Sequence, residues 1–238
     1  MNNGIMNNNF WKNYFTVYDI LLNIMPYKQL ITKLCSSLKI SSNDLILDAG
    51  CGTGNLCKLI ENNRGRVIGL DIEFSGLLRA KKKISKCRFV IGNLNTNLPF
   101  SDNTFDKIVS NNVLYCVNKN DRKKVIHEFY RVLKPNGTIV ISNPIIDFNP
   151  FTILDNHIKL EYKKFGLFYT ILNNIKLLTS IIKLFFYYSI IKKNVKKGSY
   201  SFFQKMEQKE LLSSCGFKNI SNDIFVYANQ SIMNIGAK

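Results

Sequence analysis

The chain has six cysteines, Cys35, Cys51, Cys57, Cys87, Cys116 and Cys215, but no C-x-x-C pair and no Cys/His spacing suited to a metal. That pattern speaks against a zinc module or a disulfide framework and predicts reduced thiols in a cytoplasmic protein with no metal site. Histidine is nearly missing, with only His127 and His157 present. Acidic residues are also short, 16 against 33 basic ones, for a formal charge of +17. Such an excess attracts anions, so nucleic acid, anionic lipid and acidic substrates all enter as partners. The chain is nevertheless rich in Lys, Asn and Ile almost everywhere, which reads equally well as a compositional bias. No run reaches the ~20 predominantly apolar residues of a membrane span. The Asn-rich start, residues 1–10, lacks the basic opening and apolar run of a targeting peptide and is expected to be a disordered lead-in.

At 238 residues, with 46% hydrophobic and 21% charged side chains, the chain suits one domain with a sizeable core and room for one inserted element. Between Trp11 and Leu38 the residues Phe15, Tyr18, Ile20, Leu21, Ile24, Leu30, Ile31 and Leu34 recur at roughly helical spacing, and Pro26 divides them into two helices. Short apolar runs and helical patterns then alternate: strand 45–47, helix 55–61, strand 67–70, helix 75–84, strands 88–91 and 107–110, helix 119–133 and strand 138–142. Parallel strands need crossover connections, so this alternation predicts a parallel sheet. The tail reads as a helix over 204–214 ending at Gly216, then strands 224–227 and 231–235 joined by a short connection. The pair is expected to be antiparallel, with the final strand at one edge of the sheet.

The stretch Leu45-Ile-Leu-Asp48-Ala49-Gly50-Cys51-Gly52-Thr53-Gly54-Asn55 is a buried strand running into three closely spaced glycines and a helix. Such a loop lets backbone approach a ligand closely, and the helix N-terminus adds oriented N–H groups, so a nucleotide-like cofactor is implied. A dinucleotide site would want G-x-G-x-x-G, whereas here the third glycine comes one residue early, at Gly54. Asp48, immediately before the loop, would repel a pyrophosphate but not a cationic amino acid moiety. Spacing and charge favour S-adenosylmethionine over NAD. A second strand ends in Asp71, whose carboxylate can accept hydrogen bonds from both ribose hydroxyls. Then follow Phe89-Val-Ile-Gly92-Asn93-Leu94, Leu98-Pro-Phe100 with Asp102, Lys107-Ile-Val-Ser110-Asn111, and Glu128-Phe-Tyr-Arg131-Val-Leu-Lys134-Pro-Asn136-Gly137.

Taken together these residues resemble the Rossmann-like (class I) S-adenosylmethionine-dependent methyltransferases, in particular the branch with the ubiquinone, menaquinone and small-molecule enzymes. The resemblance runs from about Tyr18 to Gly137 and resumes near Phe202. It implies an α/β fold: a seven-stranded, mostly parallel sheet with an antiparallel last strand, helices on both faces and a helical insertion after strand 5. It also implies that Gly50, Gly52, Thr53 and Gly54 surround the methionine portion of the cofactor, with Asp48, Ala49, Cys51 and Ile72 among the cofactor-binding residues. Asp71 would hold the ribose, Asn93 and Leu94 would lie against the adenine, and Ser110 and Asn111 would border the methyl group. Two residues depart from the family's pattern. Asn93 stands where Asp is common, though its side-chain oxygen still accepts an amino proton. Asn136 stands where Gly is usual in a turn, a place Asn tolerates through left-handed geometry. The transfer would leave S-adenosylhomocysteine and require in-line positioning rather than a base. Candidates to touch the acceptor are His157, Tyr115 and Tyr18, while His127 is expected on a helix surface.

The organisation expected is 1–40 as helices forming part of the acceptor pocket, 41–148 as the cofactor core, 149–198 as a helical lid and 199–238 as a helix and strand pair completing the core. The insertion is strongly apolar, interrupted by Lys176 and Lys183, and from 158 to 197 nine lysines face one acidic residue, Glu161. Two readings stand: a lid over the site with solvated lysines, or a lid that also lies on anionic membrane through 158–197. Either points to a hydrophobic small-molecule acceptor, quinone- or lipid-like. The alternatives are an RNA (tRNA) methyltransferase drawn by the positive charge, against which stands Ser110-Asn-Asn-Val in place of an N-P-P-Y-like clamp, or a non-catalytic interaction protein on the same fold. Oligomeric state is not legible.

Overall fold

The structure, a computed structural model, describes residues 9–238. Of the expected lead-in over residues 1–10, all but Asn9 and Phe10 lie outside the described residues. The described residues open with α1 (Asn9–Tyr18), a 3-10 turn (Asp19–Asn23) and α2 (Met25–Ser37), whose first turn holds Pro26, a place proline fits. Then come β1 (Leu45–Ala49), α3 (Asn55–Asn62), β2 (Arg66–Asp71), α4 (Phe74–Lys83), β3 (Arg88–Ile91) and β4 (Phe105–Asn111). They are followed by α5 (Arg122–Val132), β5 (Leu133–Pro144), α6 (Pro150–Lys196), α7 (Glu207–Ser214), β6 (Ile224–Val226) and β7 (Ser231–Ala237).

One sheet runs in the order β3-β2-β1-β4-β5-β7-β6. The pairs among β1 to β5 are parallel, and β7 is antiparallel to both its neighbours. The final strand is therefore not at the edge, contrary to the expectation from the sequence. β7 slots between β5 and β6, because the tight turn at Tyr227, Ala228 and Asn229, all at positive φ, folds β6 back along its outer side. Strand alternation divides the core. Ile46, Val109, Val140 and Met233 face α2 and α3 through Leu30, Leu34, Leu56 and Ile60. Leu47, Ile108, Ile139, Ile141 and Ile232 face α5 and α7 through Val125, Ile126, Phe129 and Leu212. Strands buried on both faces read as continuous apolar runs, which is why they were visible in the sequence. Asn136 does take a left-handed turn, φ 62.

The insertion is α6. Asn149 caps it by accepting the Phe151 N–H at 3.0 Å, and Gly166 breaks it with φ 81 and ψ 175. The break turns the element into an antiparallel helical hairpin with arms 150–165 and 167–196. Across it the Phe151 and Phe185 rings meet at 4.7 Å, and Glu161 accepts hydrogen bonds from Asn173 at 2.6 Å and Asn174 at 3.0 Å. By length and composition alone α6 is apolar enough to cross a membrane, with a mean hydropathy of 1.3 over its best 18 residues. This differs from the expectation that Lys176 and Lys183 leave the run too short. The fold at Gly166 and the packing of α6 on α1 and α2 make it a hairpin against the body of the protein.

Candidate active site

A cavity of about 1230 Å³ runs along the carboxyl ends of the parallel strands, from the glycine loop to the hairpin. The glycines are dictated by geometry. Gly50 has φ 80, and a side chain there would put its Cβ 2.3 Å from Val113 Cγ2; Gly54 has φ 77 and backs onto Ala80. The loop is tied to β2: the Gly50 and Cys51 N–H groups donate to the Leu70 carbonyl at 2.7 and 3.0 Å. Gly52 donates to Asp71 Oδ2 at 2.7 Å, and Glu73 N–H donates to Asp71 Oδ1 at 2.9 Å. Both oxygens are thus fixed in direction yet keep further lone pairs for a ligand. Burial pushes the Asp71 carboxyl above its usual range, partly offset by these donors.

Of the residues expected at the site, Gly50, Cys51, Gly52, Asp71, Ile72, Asn93, Leu94 and Asn111 line the cavity, together with Tyr18 and Tyr115. Asp48, Ala49, Thr53, Gly54 and Ser110 are absent from its wall. Asp48 is buried beneath the loop, where its Oδ2 accepts the Cys57 thiol at 3.1 Å and burial pushes its pKa up to about 7, the Asp71 charge adding to the rise. Ser110 donates to the Ala49 carbonyl at 2.9 Å and so fastens β4 to β1. Asn93 accepts the Asn95 N–H at 2.9 Å, which shapes the turn after β3. The following loop is gripped by Arg131, whose guanidinium donates to the Phe100 and Leu98 carbonyls, to Asp102 and to Glu128 at 2.8 to 3.1 Å. Glu128 in turn accepts the Leu98 N–H at 2.7 Å.

Other residues on the site were missed in the sequence. The Phe15 ring lies against Gly52 and Gly76, so α1 packs directly over the glycine loop. Asp19 accepts the Thr53 hydroxyl at 2.5 Å and Lys83 Nζ at 2.9 Å, pinning the first segment to the loop and to α4. The available signal was that Asp19 is the sole carboxylate among the aromatics and lysines of that segment. Asn111 and Asn112 both line the cavity, and each leaves a buried Oδ1 without a hydrogen-bond partner among the described residues. Such acceptors suit a ligand that donates, as the amino group of an amino acid moiety does. The wall therefore fits S-adenosylmethionine: a close backbone loop, orphan acceptors and a carboxylate at the end of β2.

At the far end the wall is apolar and aromatic. Phe148 and Tyr227 meet Ile153 and Leu154 of the first arm and Ile181, Leu184, Phe185, Tyr188 and Ile191 of the second. Tyr27 donates to the Tyr18 hydroxyl at 3.2 Å. Burial holds the phenols of Tyr14, Tyr18, Tyr115 and Tyr227 above their usual range, so they are protonated at neutral pH.

His157 is not on the cavity wall. It is fully buried between the first arm and α2, where Nδ1 accepts the Met25 N–H at 3.2 Å and Nε2 lies 3.6 Å from Glu161. Desolvation lowers its pKa, so it is neutral and joins two elements. Other residues of the insertion line the far end of the cavity, but this residue sits on the side of the arm that meets α2. His127 is exposed on α5. Among the described residues no group of three His, Cys, Asp or Glu side chains could hold a metal.

Residues 47–141 match the family described as Methyltransferase domain. A demethylmenaquinone methyltransferase of Lactobacillus johnsonii is 29% identical over 226 residues, 86% of this chain and 85% of that one. A malonyl-[acyl-carrier protein] O-methyltransferase of Hamiltonella defensa is 36% identical over 98 residues, 41% of this chain and 36% of that protein. The chain spans about half or less of the length of the first curated relatives it matches. A TehB-like SAM-dependent methyltransferase from Corynebacterium glutamicum shares the fold, with a TM-score of 0.64 at 16% identity, covering 98% of this chain and 100% of that one. The glycine loop, Asp71 at the end of β2 and the antiparallel β7 agree with the matched domain: residues 47–141 form a Methyltransferase domain, and the chain shares the fold of S-adenosylmethionine-dependent methyltransferases.

Proposed function

We propose that this chain transfers a methyl group from S-adenosylmethionine to an apolar or amphiphilic small molecule held at the hairpin end of the cavity. The observation that carries the reading is the continuity of that cavity, with Gly50, Gly52, Asp71, Asn93 and Asn111 at one end and hairpin Ile, Leu, Phe and Tyr side chains at the other. The cofactor, when bound, supplies a methyl group on a positively charged sulfur. The protein's part is to bind, align and exclude water, and alignment of this kind supplies roughly 7 to 11 kcal/mol. Asp71 would hold the ribose, Gly50 to Gly52 the methionine portion, and Asn111 and Asn112 the amino group.

Neither histidine lines the cavity, and its buried phenols stay protonated. An acceptor that brings its own nucleophile, such as an electron-rich ring carbon, an already ionised oxygen or a free amine, suits this wall better than one needing deprotonation. One relative that matches over most of both chains is named a demethylmenaquinone methyltransferase, in keeping with this wall, and another is named a phosphoethanolamine N-methyltransferase. All six cysteines are free, in keeping with a cytoplasmic setting.

Calorimetric titration with S-adenosylmethionine, S-adenosylhomocysteine and NAD, followed by a labelled-methyl screen of quinone precursors, lipids, polar metabolites and tRNA, tests the reading. Binding of both sulfur compounds but not NAD, with label entering the apolar acceptors, is the expected result. Label in polar metabolites or tRNA alone would remove the acceptor class, and failure to bind either sulfur compound would leave an inherited fold without its activity.

A further inference from the structure

The second arm of the hairpin is apolar on two sides. Its inner side, with Leu177, Ile181, Leu184 and Ile191, packs on the body and the cavity. A lid that served only to cover the site would turn a polar face outward. Here the outward stripe is Phe168, Ile171, Ile175, Leu178, Ile182 and Phe186, at helical spacing, each between 50% and 78% exposed. The first arm adds Ile158, Tyr162 and Phe165 on its own exposed surface. A contiguous apolar surface of this kind marks an interaction site.

The charge around the stripe identifies what covers it. All nine lysines between residues 158 and 197 are exposed, Lys176 and Lys183 lying along one flank of the stripe and Lys159, Lys163 and Lys164 on the first arm. The one acidic residue of that stretch, Glu161, is buried and spent on Asn173 and Asn174. A second copy of the chain would bring the same lysines against these. An apolar stripe flanked by exposed lysines, of which Lys159 pairs with Asp155 at 2.6 Å, matches a surface that is apolar within and negative at its rim.

We propose that the hairpin docks flat on an anionic lipid bilayer, with the 168–186 stripe among the acyl chains and the flanking lysines at the headgroups. Because Ile181, Leu184 and Phe185 on the other side of the same arm line the cavity, docking holds the acceptor end of the site one helix away from the leaflet. The acceptor is then a molecule dissolved in that leaflet, a step that rests on the methyl-transfer reading; the docking itself does not.

The test is flotation of the full chain with phosphatidylcholine vesicles and with phosphatidylcholine–phosphatidylglycerol vesicles, beside a vesicle-free control. Two variants accompany the wild type: Phe168→Ser/Ile175→Ser/Ile182→Ser and Lys176→Glu/Lys183→Glu. All five positions are exposed, so both variants are expected to keep the wild-type circular dichroism melt. The wild type should float with the anionic vesicles, and each variant should partition at least about tenfold less. A wild type that stays at the bottom with both vesicle types overturns the proposal, as does a serine variant that floats undiminished. A wild type that fails to float and sediments as a dimer dispersed by the serine changes assigns the stripe to a second copy instead. Cofactor titration on the same preparations separates the two readings. Flotation without cofactor binding removes methyl transfer and leaves docking, and cofactor binding without flotation does the reverse.

Discussion

The Asp71 carboxylate takes the Gly52 N–H at 2.7 Å, so the end of β2 and the glycine loop after β1 are one rigid unit. The residue assigned to the ribose is the one that also sets the loop. Asp71→Ala should therefore weaken S-adenosylmethionine binding more than loss of a ribose contact alone, by about 1.5 to 3 kcal/mol or beyond. Asp71→Asn retains one acceptor oxygen and should lose less. Calorimetry on the three proteins checks this, and equal affinity in all of them would contradict it.

Gly50 sits at φ 80 with Val113 Cγ2 where its Cβ would be. Gly50→Ala should cost about 1 to 3 kcal/mol of stability from backbone strain and collision together. If the collision contributes, Gly50→Ala/Val113→Ala should recover part of the loss in a urea melt. A double variant no more stable than the single one would assign the whole cost to φ.

Asp48 is a buried acid with its pKa pushed up to about 7 from the ordinary 3.8. The folded state holds this proton where the unfolded state has lost it, so the penalty appears as pH rises above about 4 and is complete above about 7. Asp48→Asn removes the ionisation. Its stability relative to wild type should improve by on the order of 2 kcal/mol between pH 5 and pH 8. Parallel stability–pH curves for the two proteins would show that Asp48 does not titrate in this window.

His157 carries the opposite sign. Burial lowers its pKa from 6.5, so the unfolded chain takes up a proton the folded one refuses, and stability drops as pH falls below about 6.5. His157→Ala should lower stability by about 1 to 3 kcal/mol, because the Met25 N–H loses its acceptor and a cavity opens. The rate of methyl transfer at saturating acceptor should not change. A fall in that rate with an unchanged melt would put His157 in the chemistry after all.

What could be read from the sequence follows from how local each signal is. The strands around Ile46, Val109 and Ile139 are buried on both faces, so their apolar runs announce themselves without knowledge of their neighbours. The glycine loop was legible because only glycine takes the backbone at Gly50 and Gly54. The β7 position was not, since sequence shows that two strands pair but not which side of the pair joins β5. Helix starts were placed early at 119 and 204. The first helix begins instead after the Asn118–Asp121 turn, and the second after Met206, whose φ of 65 interrupts it. The nearness of Phe15 and Asp19 to the glycine loop is a tertiary contact with no local pattern. The two-armed hairpin hid in plain view: Gly166 is one glycine in a long apolar run, and its turn becomes apparent only when Phe151 meets Phe185.

The stripe from Phe168 to Phe186 also decides how the purified chain behaves on its own. At low ionic strength the exposed lysines around it keep one molecule from another, since their fields reach about 10 Å at 0.1 M salt. At 1 M the reach shrinks to about 3 Å, and hydrophobic attraction between stripes is then unopposed. Most proteins are salted into solution before they are salted out. This one should instead lose solubility steadily as salt rises from the outset, and the serine changes on the stripe should restore the ordinary order.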